Sequence, residues 1–90
     1  MTRVSRTVLI TNKRGLHARA SAKFVTLASS QSCEVQVCKD DGAVTGTSIM
    51  GLMMLGAAKG DEITISATGD GAEVAVGALV ELVEAKFGED

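Results

Sequence analysis

The residues best suited to chemistry are a histidine and an arginine, His17 and Arg19, which follow a short loop containing Gly15. The hydrophobic pattern takes a helical period from His17 onward, so we expect both residues at the start of a helix. The first N–H groups of a helix have no partners within it, and the helix dipole favours anions there. A ring nitrogen of His17 could therefore hold a phosphoryl group against these donors, with Arg19 as a second positive contact.

The same dipole disfavours a charged ring and so favours a neutral, nucleophilic His17 near pH 7. The alternative is a surface histidine that only caps a helix, and position alone favours that alternative. The sequence offers no competing catalytic set, since it has no Ser/His/Asp arrangement, no paired carboxylates on one helix face and no P-loop. His17 would therefore depend on other proteins as phosphoryl donor and acceptor.

A second segment, residues 48–55, contains three of the four methionines of the chain. We expect a short helix here, capped by Thr47 or Ser48 and ended by Gly56. A helix of two turns cannot bury so many large apolar groups in a small core, so some of them should face solvent. Exposed methionines form an adaptable docking surface for partner proteins.

Ser48 supports two interpretations. The first is an N-cap, whose hydroxyl accepts a hydrogen bond from a backbone N–H of the following turn. The second is a phosphorylation site. A doubly charged group at this position would still cap the helix, but it would disrupt an apolar interface beside it.

The chain predicts the element order β-α-β-β-α-β-α. Apolar residues alternate along the strands and recur every three to four residues along the helices. Three helices should therefore cover one face of a mostly antiparallel four-stranded sheet whose other face is solvated. The predicted fold is α+β, a two-layer open-faced sandwich that forms one domain over residues 1–90. The predicted strands are 6–11, 33–39, 43–45 and 63–67, and the predicted helices are 17–29, 48–55 and 71–87.

Local motifs refine these elements. Residues 40–42, Asp-Asp-Gly, predict a hairpin, and Asp70 and Glu73 have the spacing of a capping box. Cys33 and Cys38 lie five apart in one predicted strand and so point to opposite faces, with Cys33 in the core, which excludes a disulfide between them. The expected buried stripe of the first helix consists of Ser21, Phe24, Val25 and Ala28.

Composition excludes several functions. The 90 residues carry nine Lys and Arg against eleven Asp and Glu, a net charge of −2, and two Phe are the only aromatic residues. We therefore expect no nucleic-acid binding. The longest run without a charge or hydroxyl, residues 49–58, is too short to cross a membrane, and no signal-peptide pattern is present, so we expect a cytoplasmic protein. One histidine and two divergent cysteines form no zinc site, so no metal or cofactor is expected.

Two motifs resemble the histidine-containing phosphocarrier proteins, the HPr family, of the bacterial phosphoenolpyruvate-dependent phosphotransferase system. They are residues 12–19, NKRGLHAR, and residues 48–56, SIMGLMMLG, and the resemblance covers nearly the whole chain. It implies that His17 accepts a phosphoryl group on Nδ1 from phosphorylated enzyme I and passes it to an enzyme IIA domain, with Arg19 stabilising the phosphate. It also implies that Ser48 is the regulatory serine, a target of HPr kinase/phosphorylase where that enzyme exists.

The resemblance further implies a monomeric carrier rather than an enzyme, with a small docking patch. The chain departs from the family at Ala20 and Ser21, where Pro-Ala is usual. Alanine is also a good helix former, so we expect little loss of function. The implied patch comprises Leu16, Ala18, Ile49, Met50 and Met53.

The branch of the family and two other functions remain open at this point. Residues 54–55, 58–60, 67–69 and 87–90 are similar to the nitrogen-related paralogue, NPr, whereas residues 48–51 are similar to carbohydrate-branch members phosphorylated on serine. We favour the nitrogen-related branch. The main alternative is a regulatory module that contacts kinases, synthetases or transcription factors through its methionine-rich patch. A small acyl-phosphate hydrolase on a similar sandwich is a third hypothesis.

Overall fold

The computed structural model describes residues 2–89 and has the predicted element order. The strands are β1 (Arg3–Leu9), β2 (Val35–Lys39), β3 (Gly42–Thr45) and β4 (Glu62–Thr68). The helices are α1 (Ala18–Ser29), α2 (Ile49–Met54) and α3 (Ala72–Glu84). A single helical turn, Lys86–Gly88, follows α3. None of the helices within residues 2–89 combines the length and apolar character needed to cross a membrane.

The four strands form one sheet in the order β1-β4-β2-β3, and every neighbouring pair is antiparallel. The residues predicted to face the core in β4, Ile63, Ile65 and Ala67, are buried, but Ser66, predicted on the opposite face, is buried as well. Ile65 of β4 lies between Arg6 of β1 and Val37 of β2. On the opposite face, the hydroxyls of Thr7 and Thr64 pair at 2.9 Å. The predicted α+β sandwich with one solvated sheet face is confirmed.

The core lies between this sheet and the helices. α1 buries Ala20, Ser21, Phe24 and Ala28, whereas Val25 is only half-buried. The prediction of Val25 in the buried stripe was therefore wrong, because the buried face is rotated toward the side of the helix that bears Ala20. α2, α3 and the turn after it supply the large core side chains Leu52, Val76, Leu79, Val80, Val83 and Phe87, and the sheet supplies Val8, Val35, Val37, Ile63 and Ile65.

Strand boundaries differ from the prediction in two places. β1 begins at Arg3 and ends at Leu9, and Ile10 bonds instead with the loop before β4, through Asp61 and Gly60, at 2.8 Å each. β2 begins at Val35, so Cys33 precedes the strand and is half-buried at the edge of the core rather than within it. Both cysteines are free thiols.

The two turn motifs have different outcomes. The hairpin is confirmed, with Lys39 opposite Gly42 in the register of β2 and β3. The capping box is wrong: Gly71, at φ 84°, is the N-cap of α3, and no side chain caps this helix. Glycine adopts this left-handed conformation easily, and α3 begins without the side-chain cap that Asp70 was expected to supply.

Candidate functional site

The loop before α1 is braced against the rest of the molecule. The backbone N–H of Leu16 donates to the carbonyl of Ala57 at 2.9 Å, and the buried Asn12 donates from Nδ2 to the carbonyl of Gly15 at 2.8 Å. Gly15 has φ 59°, and a side chain there would overlap the backbone of Ala57. The loop therefore delivers His17 to the start of the helix in a fixed position.

His17 is the N-cap of α1, as the sequence predicted. Its backbone is extended, at φ −73° and ψ 179°, and its side chain accepts a hydrogen bond from the backbone N–H of Arg19, with 3.3 Å between that nitrogen and Nδ1. The side chain is 16% exposed. Nδ1 thus lies at the N–H groups of the first helical turn, where the helix dipole favours negative charge.

The other ring nitrogen of His17 contacts a glutamate from the opposite end of the chain. Nε2 lies 2.5 Å from Oε2 of Glu89, and Oε1 of the same carboxylate accepts from Nδ2 of Asn12 at 3.1 Å. Each carboxylate oxygen therefore has its own donor. Sequence analysis missed Glu89, because no local pattern connects it with His17, 72 residues away. It also assigned no role to Asn12, although this residue begins the motif at residues 12–19.

This environment lowers the pKa of Glu89 below its ordinary value. Partial burial of the carboxyl raises its pKa, but the hydrogen bonds from Asn12 and His17 and the positive charge of Lys23 outweigh this effect and lower the pKa. Glu89 is consequently ionised at neutral pH, and both of its oxygens act as acceptors.

The neighbours of His17 define the tautomer of its neutral ring. A backbone N–H can only donate, so Nδ1 must present its lone pair to Arg19. An ionised carboxylate can only accept, so Nε2 must carry the proton toward Glu89. Two independent contacts therefore assign the same tautomer, and that tautomer makes Nδ1 the nucleophilic atom.

The turn after α3 carries Glu89 to the histidine. Lys86, Phe87 and Gly88 have φ values of 57°, 54° and 76°, which reverses the chain direction. Two of them are not glycine, and this conformation costs about 1–2 kcal/mol for each such residue. Complete burial of the Phe87 ring offsets the cost, and Lys23 of α1 donates from Nζ to the Phe87 carbonyl at 2.7 Å.

Arg19 lies at the second position of α1 and is exposed. Within residues 2–89 its guanidinium forms no hydrogen bond or ion pair, whereas its backbone N–H donates to Nδ1 of His17. The long side chain can therefore turn toward an anion at Nδ1 without first giving up a partner among these residues.

The methionine-rich helix beside α1 presents an apolar surface, as expected. Ile49, Met50, Met53 and Met54 are 41%, 68%, 41% and 80% exposed, and α2 packs against α1. We call the four side chains the α2 patch. Leu16 was expected to join them, but it is 5% exposed and packs in the core, so it supports the loop before His17 rather than offering a docking surface.

Ala18 and Ser48 border the α2 patch in different ways. Ala18 is exposed on the first turn of α1. Ser48 is the N-cap of α2, and its hydroxyl accepts from the backbone N–H of Gly51 at 3.0 Å. The predicted cap is confirmed, and the half-buried hydroxyl lies directly before the exposed Ile49 and Met50.

Within residues 2–89, no group of three or more His, Cys, Asp and Glu side chains is arranged to hold a metal ion. The chemical capacity of the site therefore rests on an imidazole with a defined tautomer, an ionised carboxylate, a helix N-terminus and an unengaged guanidinium. Such a set can accept an anionic group on Nδ1 and surround it with N–H donors and a positive charge.

Comparison with known proteins places this geometry in a family. A family model described as PTS HPr component phosphorylation site matches residues 4–85. The phosphocarrier protein HPr of Neisseria meningitidis serogroup A is 49% identical over 86 residues, which cover 96% of this chain and 97% of that protein. The phosphocarrier protein NPr of Escherichia coli K12 is 40% identical over 88 residues, which cover 97% and 98%. The crystal structure of HPr-C-His from Thermoanaerobacter tengcongensis superimposes with a TM-score of 0.90 at 49% identity, covering 100% of this chain and 99% of that one.

Proposed function

Since this chain belongs to the HPr family of phosphocarrier proteins, we propose that His17 accepts a phosphoryl group on Nδ1 from phosphorylated enzyme I and passes it to an enzyme IIA domain. The protein then acts as a carrier whose partners supply the catalysis. The observation that supports this most strongly is the placement of the Nδ1 lone pair at the first N–H groups of α1.

Each neighbouring group has a part in the proposed transfer. In the neutral ring the lone pair of Nδ1 attacks the phosphorus atom, and the bond between phosphorus and the donor breaks with its electron pair leaving on the donor. The phosphoryl oxygens then lie near the N–H groups of the first turn, and the Arg19 guanidinium supplies a counter-charge. These contacts are individually worth about 0.3–1 kcal/mol at an exposed helix end, which suits a group that must be released again.

The α2 patch together with Ala18 is the proposed docking surface for both partners. Exposed methionine side chains adapt to differently shaped partners, which a shared surface for donor and acceptor requires. Transient complexes of this kind bury less than about 1,200 Å² in total. Phosphorylation of Ser48 by an HPr kinase/phosphorylase would place two negative charges beside this surface and weaken docking.

The direct test is to incubate the protein with enzyme I, phosphoenolpyruvate and magnesium, and to follow it by intact mass and phosphorus NMR. We expect one acid-labile phosphate on the wild type and none on His17→Ala. Carbohydrate-type and nitrogen-type enzyme I should be tried in parallel, because relatives of both kinds match the chain. Phosphate on the His17→Ala variant, or no phosphate with either donor, would overturn the proposal.

A regulatory binding module is the second candidate, and the large exposed area of the α2 patch is the observation that favours it. Its main output would be contact with a kinase, a synthetase or a transcription factor. Met53→Asp should weaken partner binding in both hypotheses. His17→Ala separates them, because it abolishes carrier activity but leaves the partner binding of a pure module intact.

A further inference from the structure

We propose that Glu89 is a positioning residue that holds the proton of His17 on Nε2 both before and after phosphoryl transfer. This role rests on the proposed function of His17 and adds a second residue to it, from a segment that the motifs around His17 and Ser48 do not include. The contact that supports it is the 2.5 Å approach of Oε2 to Nε2.

Before transfer, the carboxylate of Glu89 keeps the ring proton on Nε2, so Nδ1 is unprotonated and can attack phosphorus. Without Glu89 the neutral ring would have one constraint on its tautomer, the 3.3 Å contact from the Arg19 N–H to Nδ1. The short contact to the ionised carboxylate of Glu89 adds a second, stronger constraint on the tautomer, because hydrogen bonds to charged groups are roughly twice as strong as neutral ones. The same contact fixes the plane of the His17 ring, since the carboxylate is itself held by Asn12 and by the turn after α3.

After transfer, the same proton makes the ring a good leaving group. Attack by Nδ1 leaves the ring with a phosphoryl group on one nitrogen, a proton on the other and a positive charge. Onward transfer breaks the bond between Nδ1 and phosphorus, and the electron pair returns to Nδ1. With the proton on Nε2, the departing ring is a neutral imidazole; without it, the departing ring would be an imidazolide anion, which leaves far less readily.

Glu89 is the one acidic side chain in contact with the ring of His17 within residues 2–89, and the charged residues nearest to His17 in the sequence are all cationic. Arg19 and Lys23 of α1 are both positive, and so are Lys13 and Arg14 in the preceding loop. The packed helix α2 has no ionisable residue. Among the described contacts of the ring, the carboxylate of Glu89 is therefore the acceptor placed to hold the proton on Nε2.

Glu89→Gln is the variant that tests the role of the carboxylate. It keeps the size of the side chain but replaces one of the two acceptor oxygens with an NH₂ donor, so the side chain no longer offers an acceptor at both positions, one facing Asn12 and one facing His17. Glu84→Gln is the matched control, because Glu84 is an exposed glutamate at the end of α3 and loses the same charge. Both variants leave the buried Phe87 that anchors the turn unchanged.

Two measurements distinguish positioning from a merely structural role. The first is the tautomer of unphosphorylated His17, measured by ring ¹⁵N chemical shifts with the imidazole neutral. We expect the fraction with the proton on Nδ1 to rise at least about threefold in Glu89→Gln. The second is the pH profile of phosphohistidine hydrolysis, which we expect to move toward acid by about half a pH unit or more. Glu84→Gln should match the wild type in both.

The proposal is overturned if Glu89→Gln matches Glu84→Gln in both tautomer and hydrolysis profile. Failure of the proposed function has a different signature, since wild-type protein would then take no phosphate on His17 from enzyme I. The tautomer measurement needs no phosphorylation, and it would still decide whether Glu89 holds the proton on Nε2.

Discussion

The backbone N–H of Leu16 donates to the carbonyl oxygen of Ala57 at 2.9 Å, which ties the residue before His17 to the segment after α2. Through this bond, the loop that carries the proposed phosphoryl acceptor and the helix that carries the α2 patch share a support. The approach is so close that Gly15 has no space for a side chain.

We therefore expect Gly15→Ala to lower the free energy of unfolding by at least about 2 kcal/mol, since it adds both a left-handed alanine and an overlap with the Ala57 backbone. Gly77→Ala is the control. Gly77 lies inside α3 with open space around its α-carbon, so alanine there should raise stability by about 0.5–1 kcal/mol. Urea denaturation measures both changes. Equal effects of the two variants would contradict the proposed support.

Asn12→Asp should destabilise the protein by about 1–3 kcal/mol. The Asn12 amide nitrogen donates to both the Gly15 carbonyl and the Glu89 carboxylate, so a carboxylate at position 12 would face two acceptors. Combining Asn12→Asp with Glu89→Gln should recover part of the loss, because the new amide can donate to the new carboxylate. A double-mutant cycle by denaturant unfolding measures this coupling, and strictly additive effects would show that residues 12 and 89 do not interact.

The stability contributed by Glu89 should depend on pH in a defined direction. Folding lowers the pKa of this carboxyl. The contribution of Glu89 to the free energy of unfolding is therefore complete above the pKa of the unfolded chain, about 4.3, and it is lost as the pH falls through the pKa of the folded protein. The difference in unfolding free energy between wild type and Glu89→Gln should be present above about pH 5 and should shrink below about pH 4. A difference that persists undiminished at lower pH would contradict the ionised contact.

Substitutions of Ser48 should separate its two interpretations. Ser48→Ala removes the hydroxyl that accepts from Gly51, and it should cost about 1 kcal/mol of stability with little change in phosphate acceptance. Ser48→Asp can still cap α2, but it adds charge beside Ile49 and Met50 and should slow phosphorylation of His17 by enzyme I. The initial rates of His17 phosphorylation by enzyme I, measured for Ser48→Ala, Ser48→Asp and the wild type, test this prediction. Equal rates for Ser48→Asp and wild type would count against regulation at this serine.

The sequence predicted the parts of the fold that depend on local periodicity. The helical start at His17, the cap at Ser48, the hairpin at 40–42 and the order of strands and helices are all local patterns, and the structure contains them. The expected cap at Asp70 failed because Gly71, with φ 84°, could begin α3 without a side-chain acceptor.

The part of the candidate site that the sequence did not predict depends on contacts between residues far apart in the chain. The acidic residues after Phe87 indicated only a family branch, whereas Glu89 contacts His17 directly. That contact requires three successive residues with positive φ, two of them not glycine, and nothing in the local sequence favours this conformation. The burial of Leu16 was also missed, since a residue between glycine and histidine in a polar loop has no periodic pattern to mark it.

The position of β1 at the edge of the sheet affects how the protein folds during synthesis. Its hydrogen-bonded neighbour is β4, whose residues, Glu62–Thr68, are made long after those of β1. A chain emerging from the ribosome therefore has no partner for its first strand until two thirds of the protein has been made, and closing such a long loop carries an entropic cost. His17, the proposed phosphoryl acceptor, follows that strand and should therefore gain its fixed geometry only after β4 has been made and paired.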